Sequence, residues 1–292
     1  MKKLKKAYIE ITNVCNLSCG FCPGTSRDPR YMSAAEFETV LKKLSGYTEY
    51  LYFHVMGEPL LHPEVLHFLE LCGAYGYSVN ITTNGLLVSE HTEALVNSHA
   101  LRQVNFSLHS QEGIANTAKL ENYLDDIFEF TDRALAKGGI YVSYRLWNLS
   151  AEASDEYNAL VVQKIEQRFK PGFSVLEKLH QTNRIRLCKG LFLNSAKVFQ
   201  WPSIEMGEAG SKGFCLGLRE QVAILVDGTV VPCCLDSDGI VRLGSIFADD
   251  FQHIMYGARA KALYEGFSRR QAVEELCRRC DYRIRFSKHR NL

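Results

Sequence analysis

Six short runs rich in apolar, aromatic or β-branched residues recur along the first two-thirds of the chain. They lie at 7–13 (AYIEITN), 49–55 (EYLYFHV), 77–83 (YSVNITT), 103–109 (QVNFSLH), 140–146 (IYVSYRL) and 182–187 (TNRIRL). Between them are segments with helical apolar spacing at 33–46, 62–76, 89–99, 118–138 and 154–169. Strands that alternate with helices form a parallel sheet with helices outside it, either doubly wound or curved into a partial barrel. In both arrangements the loops after the strand C-termini build the active face. Ser33 stands three residues before Glu36, a capping-box spacing, and Ser89 and Ser154 are expected N-caps. Gly46, Gly76 and Gly138 are expected helix stops.

After about residue 188 the alternation ends. Residues 197–213 are loop-like, 220–234 (EQVAILVDGTVVPCC) reads as a hairpin with Asp227-Gly228 as a two-residue turn, and 249–267 as helix. A terminal piece this small needs a staple, and a metal site would supply one.

Ten cysteines sit in a chain of formal net charge +1. The basic opening is followed by only a short apolar run that Glu10 interrupts, so no export signal is read, and no run reaches the ~20 residues of a membrane span. Cysteines in such a chain point to metal or redox chemistry in a reducing, cytoplasmic setting rather than to disulfides. The near-neutral charge gives no expectation of nucleic-acid or membrane binding.

The thiols fall into two groups. Cys15, Cys19 and Cys22 follow the first strand directly, on the expected active face. Three thiolates cannot close a tetrahedral zinc site without a distant fourth ligand. They can hold three irons of a [4Fe–4S] cube and leave the fourth iron open to a small molecule. Cys215, Cys233, Cys277 and Cys280 form the second group, which suits either a saturated cube or a four-thiolate zinc ribbon.

CNLSCGFC, with Phe21 before the last cysteine, resembles the signature of the radical S-adenosylmethionine (SAM) superfamily. Met56-Gly57-Glu58-Pro59 resembles that family's GGEP segment, which pairs with the methionine amino group of SAM, with Met56 in place of the first glycine. Thr82-Thr83-Asn84-Gly85 is similar to its TNG turn, Ser107 and His109 occupy its ribose- or carboxylate-contacting positions, and Arg145 is placed like a carboxylate-binding arginine. The resemblance implies a partial (β/α)6 TIM-like barrel over 1–190. The implied cofactor sites are cluster ligands at Cys15, Cys19 and Cys22, and SAM contacts at Phe21, Gly57, Glu58, Asn84, Ser107, His109 and Arg145. The implied chemistry is reductive cleavage of SAM to a 5′-deoxyadenosyl radical that takes hydrogen from a substrate carbon.

The arrangement C-x12-G-x4-C…CxxC resembles the twitch domain, a shortened relative of the auxiliary-cluster SPASM domain. This implies a small hairpin-plus-helix domain over 191–292 in which Cys215, Cys233, Cys277 and Cys280 hold a second [4Fe–4S] cluster that accepts an electron. No cysteine follows Cys280, so two clusters in all are expected. Length and terminal cysteine spacing are similar to the butirosin-pathway deoxy-scyllo-inosamine dehydrogenases. The molybdopterin-precursor synthases, with three auxiliary cysteines and a terminal glycine pair, match less well.

The resemblance therefore implies an oxidoreductase acting on a polar small molecule, with peptide maturation and a non-catalytic zinc-stabilised binding protein as the alternatives. The short segment before the first strand leaves no room for a leader-peptide module, which favours the first. Cys188 and Lys189, after the sixth strand, are candidate catalytic residues for hydrogen relay and substrate binding. Lys2, Lys3, Lys5, Lys6, Arg278, Arg279, Arg283, Arg285, Lys288 and Arg290 make basic ends suited to an acidic partner such as a flavodoxin- or ferredoxin-type reductant. Cys72, Cys234, Trp147 and Trp201 carry no assigned role.

Overall fold

The computed structural model describes residues 3–111, 117–148, 154–198 and 200–287. Its chain divides into two compact units, one formed by Met1–Ser78 with Phe199–Leu292, the other by Val79–Val198. Compactness thus divides the chain discontinuously.

The first unit opens with β1 (Lys6–Ile9), α1 (Ala34–Leu44), β2 (Tyr50–Phe53) and α2 (Val65–Ala74). α1 begins as expected: Ser33 and Glu36 complete a capping box. Its inner face buries Phe37, Val40, Leu41 and Leu44, and the Phe37 ring stacks on Phe68 of α2 at 4.1 Å between centroids. Gly46 stops the helix at φ +80°, a conformation that costs a side-chain-bearing residue.

The second unit holds β3 (Ser78–Thr83), α3 (Val88–Asn97), β4 (Leu101–Ser107), α4 (Thr117–Lys137), β5 (Tyr141–Leu146), α5 (Ser154–Phe169), α6 (Val175–Leu179), β6 (Arg184–Cys188) and β7 (Leu191–Ser195). β3, β4, β5 and β7 run parallel, with Ser107 opposite Arg145 and Arg145 opposite Asn194. β3 is buried along nearly its whole length, as parallel strands covered on both faces are. α3 starts at Val88 with Leu87 in the cap position, so Ser89 is not its cap.

The sixth strand differs from expectation. β6 is antiparallel to β7, and β7 is the strand that continues the parallel order beside β5. Gly190, at φ +89°, turns the chain between them.

The chain then returns to the first unit with β8 (Gln221–Ile224), β9 (Thr229–Val231), β10 (Gly244–Ser245), α7 (Phe251–Tyr256), α8 (Ala258–Ser268) and α9 (Glu275–Arg279). β8 pairs parallel with the free edge of β1, Lys6 opposite Gln221 and Ile9 opposite Ile224, while β9 and β10 follow antiparallel. The β8–β9 turn spans three residues rather than two. Gly228 donates to the Leu225 carbonyl at 2.8 Å, and Leu225 donates to Thr229 at 2.9 Å. The helical segment at 249–267 is broken at Gly257.

Candidate functional site

Cys15, Cys19 and Cys22 lie on a loop that leaves the C-terminal end of β1 and returns to α1. Its stems are stapled. The Asn13 side chain donates to the Asp28 carbonyl at 2.9 Å and accepts from the Arg30 amide at 2.7 Å. The Thr12 hydroxyl donates to the Arg30 carbonyl at 2.9 Å, and Met32 donates to the Ile11 carbonyl at 2.8 Å. Below them Glu10 is buried, ion-paired to Arg27 at 2.7 Å, and accepts from the amides of Met56 and Val226. With its base fixed, the loop presents Cys15 and Cys22 to solvent and Cys19 half-buried. Burial, then the neighbouring Cys22 and Cys15, push the Cys19 thiol up to about 11. Thiols that repel one another as anions give up their protons most readily to a shared cation. Phe21 is half-buried beside Cys22.

The segment after β2 is locked onto this loop. Gly57 has φ +75°, and a Cβ there would stand 2.4 Å from the Thr12 carbonyl oxygen, so only glycine fits. Glu58 donates its amide to the Val14 carbonyl at 2.8 Å, and its buried carboxylate accepts from Leu60 at 3.0 Å, capping a 3₁₀ turn. Met56, in place of the GGEP segment's first glycine, is buried. His62 ends the turn, with Nε2 2.9 Å from the Met32 carbonyl.

The second unit gathers its own set at the C-terminal ends of β3, β4 and β5. Asn84 is buried: its side chain accepts from Leu86 at 3.0 Å, and its carbonyl accepts from the Tyr123 hydroxyl at 2.8 Å. Gly85 at φ +87° packs under Ile127 and Phe106, where a Cβ would clash. Ser107 pairs with Arg145 across the strands, and His109 Nδ1 lies 3.1 Å from the Arg145 carbonyl. The Arg145 guanidinium sits over Trp147 at 4.7 Å, and the His109 ring stacks on the same indole at 6.2 Å. Trp147, unassigned from the sequence, thus organises two expected site residues. Its place two residues after Arg145, immediately past the end of β5, was the available signal.

Cys188 and Lys189 are not part of this set. β6 is antiparallel, so they turn beside the N-terminal end of β5, where Val142 donates to the Gly190 carbonyl at 2.9 Å. Val142 and Arg145 are three residues apart on one strand, about 10 Å. The direction of β6 removes the reason for assigning Cys188 and Lys189 a catalytic role.

The second thiol group flanks the β8–β9 hairpin: Cys215 precedes β8, and Cys233 follows β9, which runs back toward the N-terminal ends of β1 and β8. Cys233 is pushed well up by burial and then by Cys215, Cys234, Cys277 and Cys280, which surround it. Cys277 is likewise raised by burial, Cys215 and Cys280. Amides face the sulfurs: Gly217 N is 3.5 Å from Cys215 Sγ, and the Tyr282 and Arg283 amides aim at Cys280. Burial raises the Cys215 thiol, against which the Gly217 and Leu216 amides and the charges of Arg283 and Arg219 act. Cys234 packs against the apolar cluster that includes Tyr8, Val55 and Leu225. Cys72 is a core residue of α2.

Among the described residues no three His, Cys, Asp or Glu side chains stand at single-ion spacing. Sulfurs around one zinc ion converge within about 2.3 Å of it, whereas around a cube each binds a different iron. Three thiols on a stapled loop, two of them exposed, and four partly buried thiols, two of which face backbone amides, are donor sets suited to such cubes.

Among the described residues of the basic ends, four are ion-paired. Lys3 meets Glu49, Lys5 meets Glu220, Arg278 meets Glu208 and Arg279 meets Glu275. Lys2, Lys288 and Arg290 lie outside the described residues.

Comparison with known proteins agrees with this geometry. Residues 9–160 match the family described as the radical SAM superfamily, and residues 215–281 match SPASM, an iron–sulfur cluster-binding domain. A GTP 3′,8-cyclase of Actinobacillus pleuropneumoniae is 26% identical over 88% of this chain and 85% of its own length. Another, of Chlorobaculum tepidum, is 28% identical over 52% of this chain, which spans 48%, about half, of that relative. The solved structure of BtrN with AdoMet and 2-DOIA shares the fold at a TM-score of 0.61 and 15% identity, covering 96% of this chain and 94% of that one.

Proposed function

The chain belongs to the radical SAM superfamily, and from that premise we propose that it oxidises a carbon–hydrogen bond of a polar small molecule, with the Cys215, Cys233, Cys277 and Cys280 group holding the electron acceptor. The observation that carries this reading is the contrast between the two thiol groups: three sulfurs on one stapled loop, two of them exposed, and four partly buried ones drawn together around Cys233 from separate segments. A trio leaves one iron for SAM; a quartet leaves none for substrate and suits electron transfer. With both clusters and SAM bound, the cofactors supply a radical that removes one hydrogen atom and a sink for the substrate's second electron.

The chain's own residues do the rest. Asn13, Thr12 and the Glu10–Arg27 pair hold the trio loop in place. Gly57 and Glu58 bring backbone and carboxylate beside it for the amino group of SAM. Within the second unit, Asn84, Ser107, His109 and Arg145 are the residues that the family resemblance assigns to ribose and carboxylate, with Arg145 and His109 oriented by Trp147. The substrate's proton leaves to solvent or to a base on the substrate-binding surface. A flavodoxin- or ferredoxin-type protein supplies the reducing electron, in a cytoplasmic setting. Among the described residues no helix is long and apolar enough to cross a membrane.

The GTP 3′,8-cyclase relatives carry a second reading, cyclisation of a purine nucleotide. Against it stands the fourth thiol of the quartet, which closes the iron that a substrate would need. Incubation with deuterated aminocyclitols and sugars, with GTP and with candidate peptides separates these readings. Deuterium from a carbinol carbon appearing in 5′-deoxyadenosine, with a ketone product, supports oxidation. A cyclised nucleotide or a modified peptide overturns it. Under the proposal, Cys277→Ala spares SAM cleavage and lowers product.

A further inference from the structure

Resting on the reading that Cys215, Cys233, Cys277 and Cys280 hold a [4Fe–4S] cluster, we propose that Arg283 is that cluster's buried counter-charge and sets its reduction potential. Arg283 is 2% exposed. Its Nε donates to the Cys277 carbonyl at 2.9 Å, one terminal nitrogen to the Lys212 carbonyl at 2.5 Å, and the other to the Gly210 carbonyl. Every one of these acceptors is a neutral backbone oxygen. Among the described residues no carboxylate is ion-paired with Arg283, although Arg278 and Arg279 on the preceding turn both have glutamate partners.

Carbonyls satisfy the guanidinium's donors but do not neutralise its charge. A buried charge with no opposite charge is costly enough that proteins pair it. The anion available to Arg283 is the thiolate cluster itself. Arg283 grips the carbonyl of one ligand, Cys277, its own amide faces a second, Cys280, and its charge acts on a third, Cys215. An all-cysteine cube is anionic and gains a further negative charge on reduction, so a buried cation beside it favours the reduced form. Arg283 therefore raises the potential of the electron acceptor. It is a positioning residue and touches no substrate.

The test is an EPR-monitored redox titration of the full chain carrying Cys15→Ala, Cys19→Ala and Cys22→Ala, so that the remaining signal belongs to the quartet. In this background we expect about four irons per chain. Adding Arg283→Gln shifts the midpoint negative by at least tenfold in the oxidised-to-reduced ratio, about 59 mV for one electron. Arg283→Lys, which keeps the charge, stays near the parent. If Arg283→Gln fails to hold iron while Arg283→Lys holds it at the parent potential, the charge requirement stands. An unchanged midpoint in Arg283→Gln, an equal shift in Arg283→Lys, or loss of iron from both overturns the proposal. Absence of iron from the triple variant before any change at Arg283 overturns the quartet reading beneath it.

Discussion

Arg27 lies 2.7 Å from Glu10, whose side chain is fully buried while the guanidinium is 15% exposed. The pair joins the return stem of the trio loop to the end of β1, and through Glu10 to the amides of Met56 and Val226. One carboxylate therefore ties the trio loop, the Met56–Pro59 segment and the β8–β9 turn together. Burial raises the Glu10 pKa, and Arg27 is the largest effect opposing it. Removing Arg27 leaves a buried carboxylate held only by amides, which costs roughly 3 kcal/mol or more. Arg27→Ala is expected to lose that much stability in urea unfolding and to retain less iron at the trio. Unfolding at the wild-type midpoint would contradict this role for the pair.

His62 gives the fold a pH dependence of known sign. Its Nδ1 accepts from the Glu64 amide at 3.0 Å while Nε2–H donates to Met32, so the ring is held neutral. Burial lowers its pKa from the ordinary 6.5. A base with a depressed folded pKa binds its proton more tightly in the unfolded chain. Its stabilising contribution is therefore complete above about pH 6.5 and is lost as pH falls below that, through the folded value, by at most ~1.4 kcal/mol per pH unit. The melting temperature of the wild type should fall between pH 7.5 and 5.5 more steeply than that of His62→Gln. Parallel slopes would show that the proton goes elsewhere.

Trp147 supports Arg145 and His109, so Trp147→Ala should weaken SAM binding to the reconstituted protein by roughly tenfold, the scale of a partly desolvated cation–π contact. Trp147→Phe should recover most of it. Cys188→Ser, at the opposite end of β5, should bind and cleave SAM like the wild type. Direct titration of SAM measures both, and a wild-type affinity in Trp147→Ala would remove the indole from the site.

The parts of this architecture legible in the sequence are those written over short distances. The capping box at Ser33, the glycine stops and the strand–helix alternation each depend on residues within a few positions. Both thiol groups were legible because cysteine chemistry narrows the choices. What was hidden depends on long-range pairing. Nothing local tells β8 to add to the edge of β1 more than 200 residues away. TNRIRL carries the same apolar period whether it runs parallel or antiparallel, so the reversal of β6, which displaced Cys188 and Lys189, needed the structure. Arg283 read as one of several terminal arginines, and burial separated it from the others.

The central claim is that the trio at Cys15, Cys19 and Cys22 leaves an iron for SAM. It is tested most directly by measuring 5′-deoxyadenosine from anaerobically reconstituted, dithionite-reduced full-length protein given SAM. The account predicts deoxyadenosine with methionine from the wild type and none from Cys19→Ala, although that variant keeps about four irons in the quartet. Iron-loaded, reduced wild-type protein that forms no deoxyadenosine, or a Cys19→Ala variant that forms it at the wild-type rate, would contradict the account.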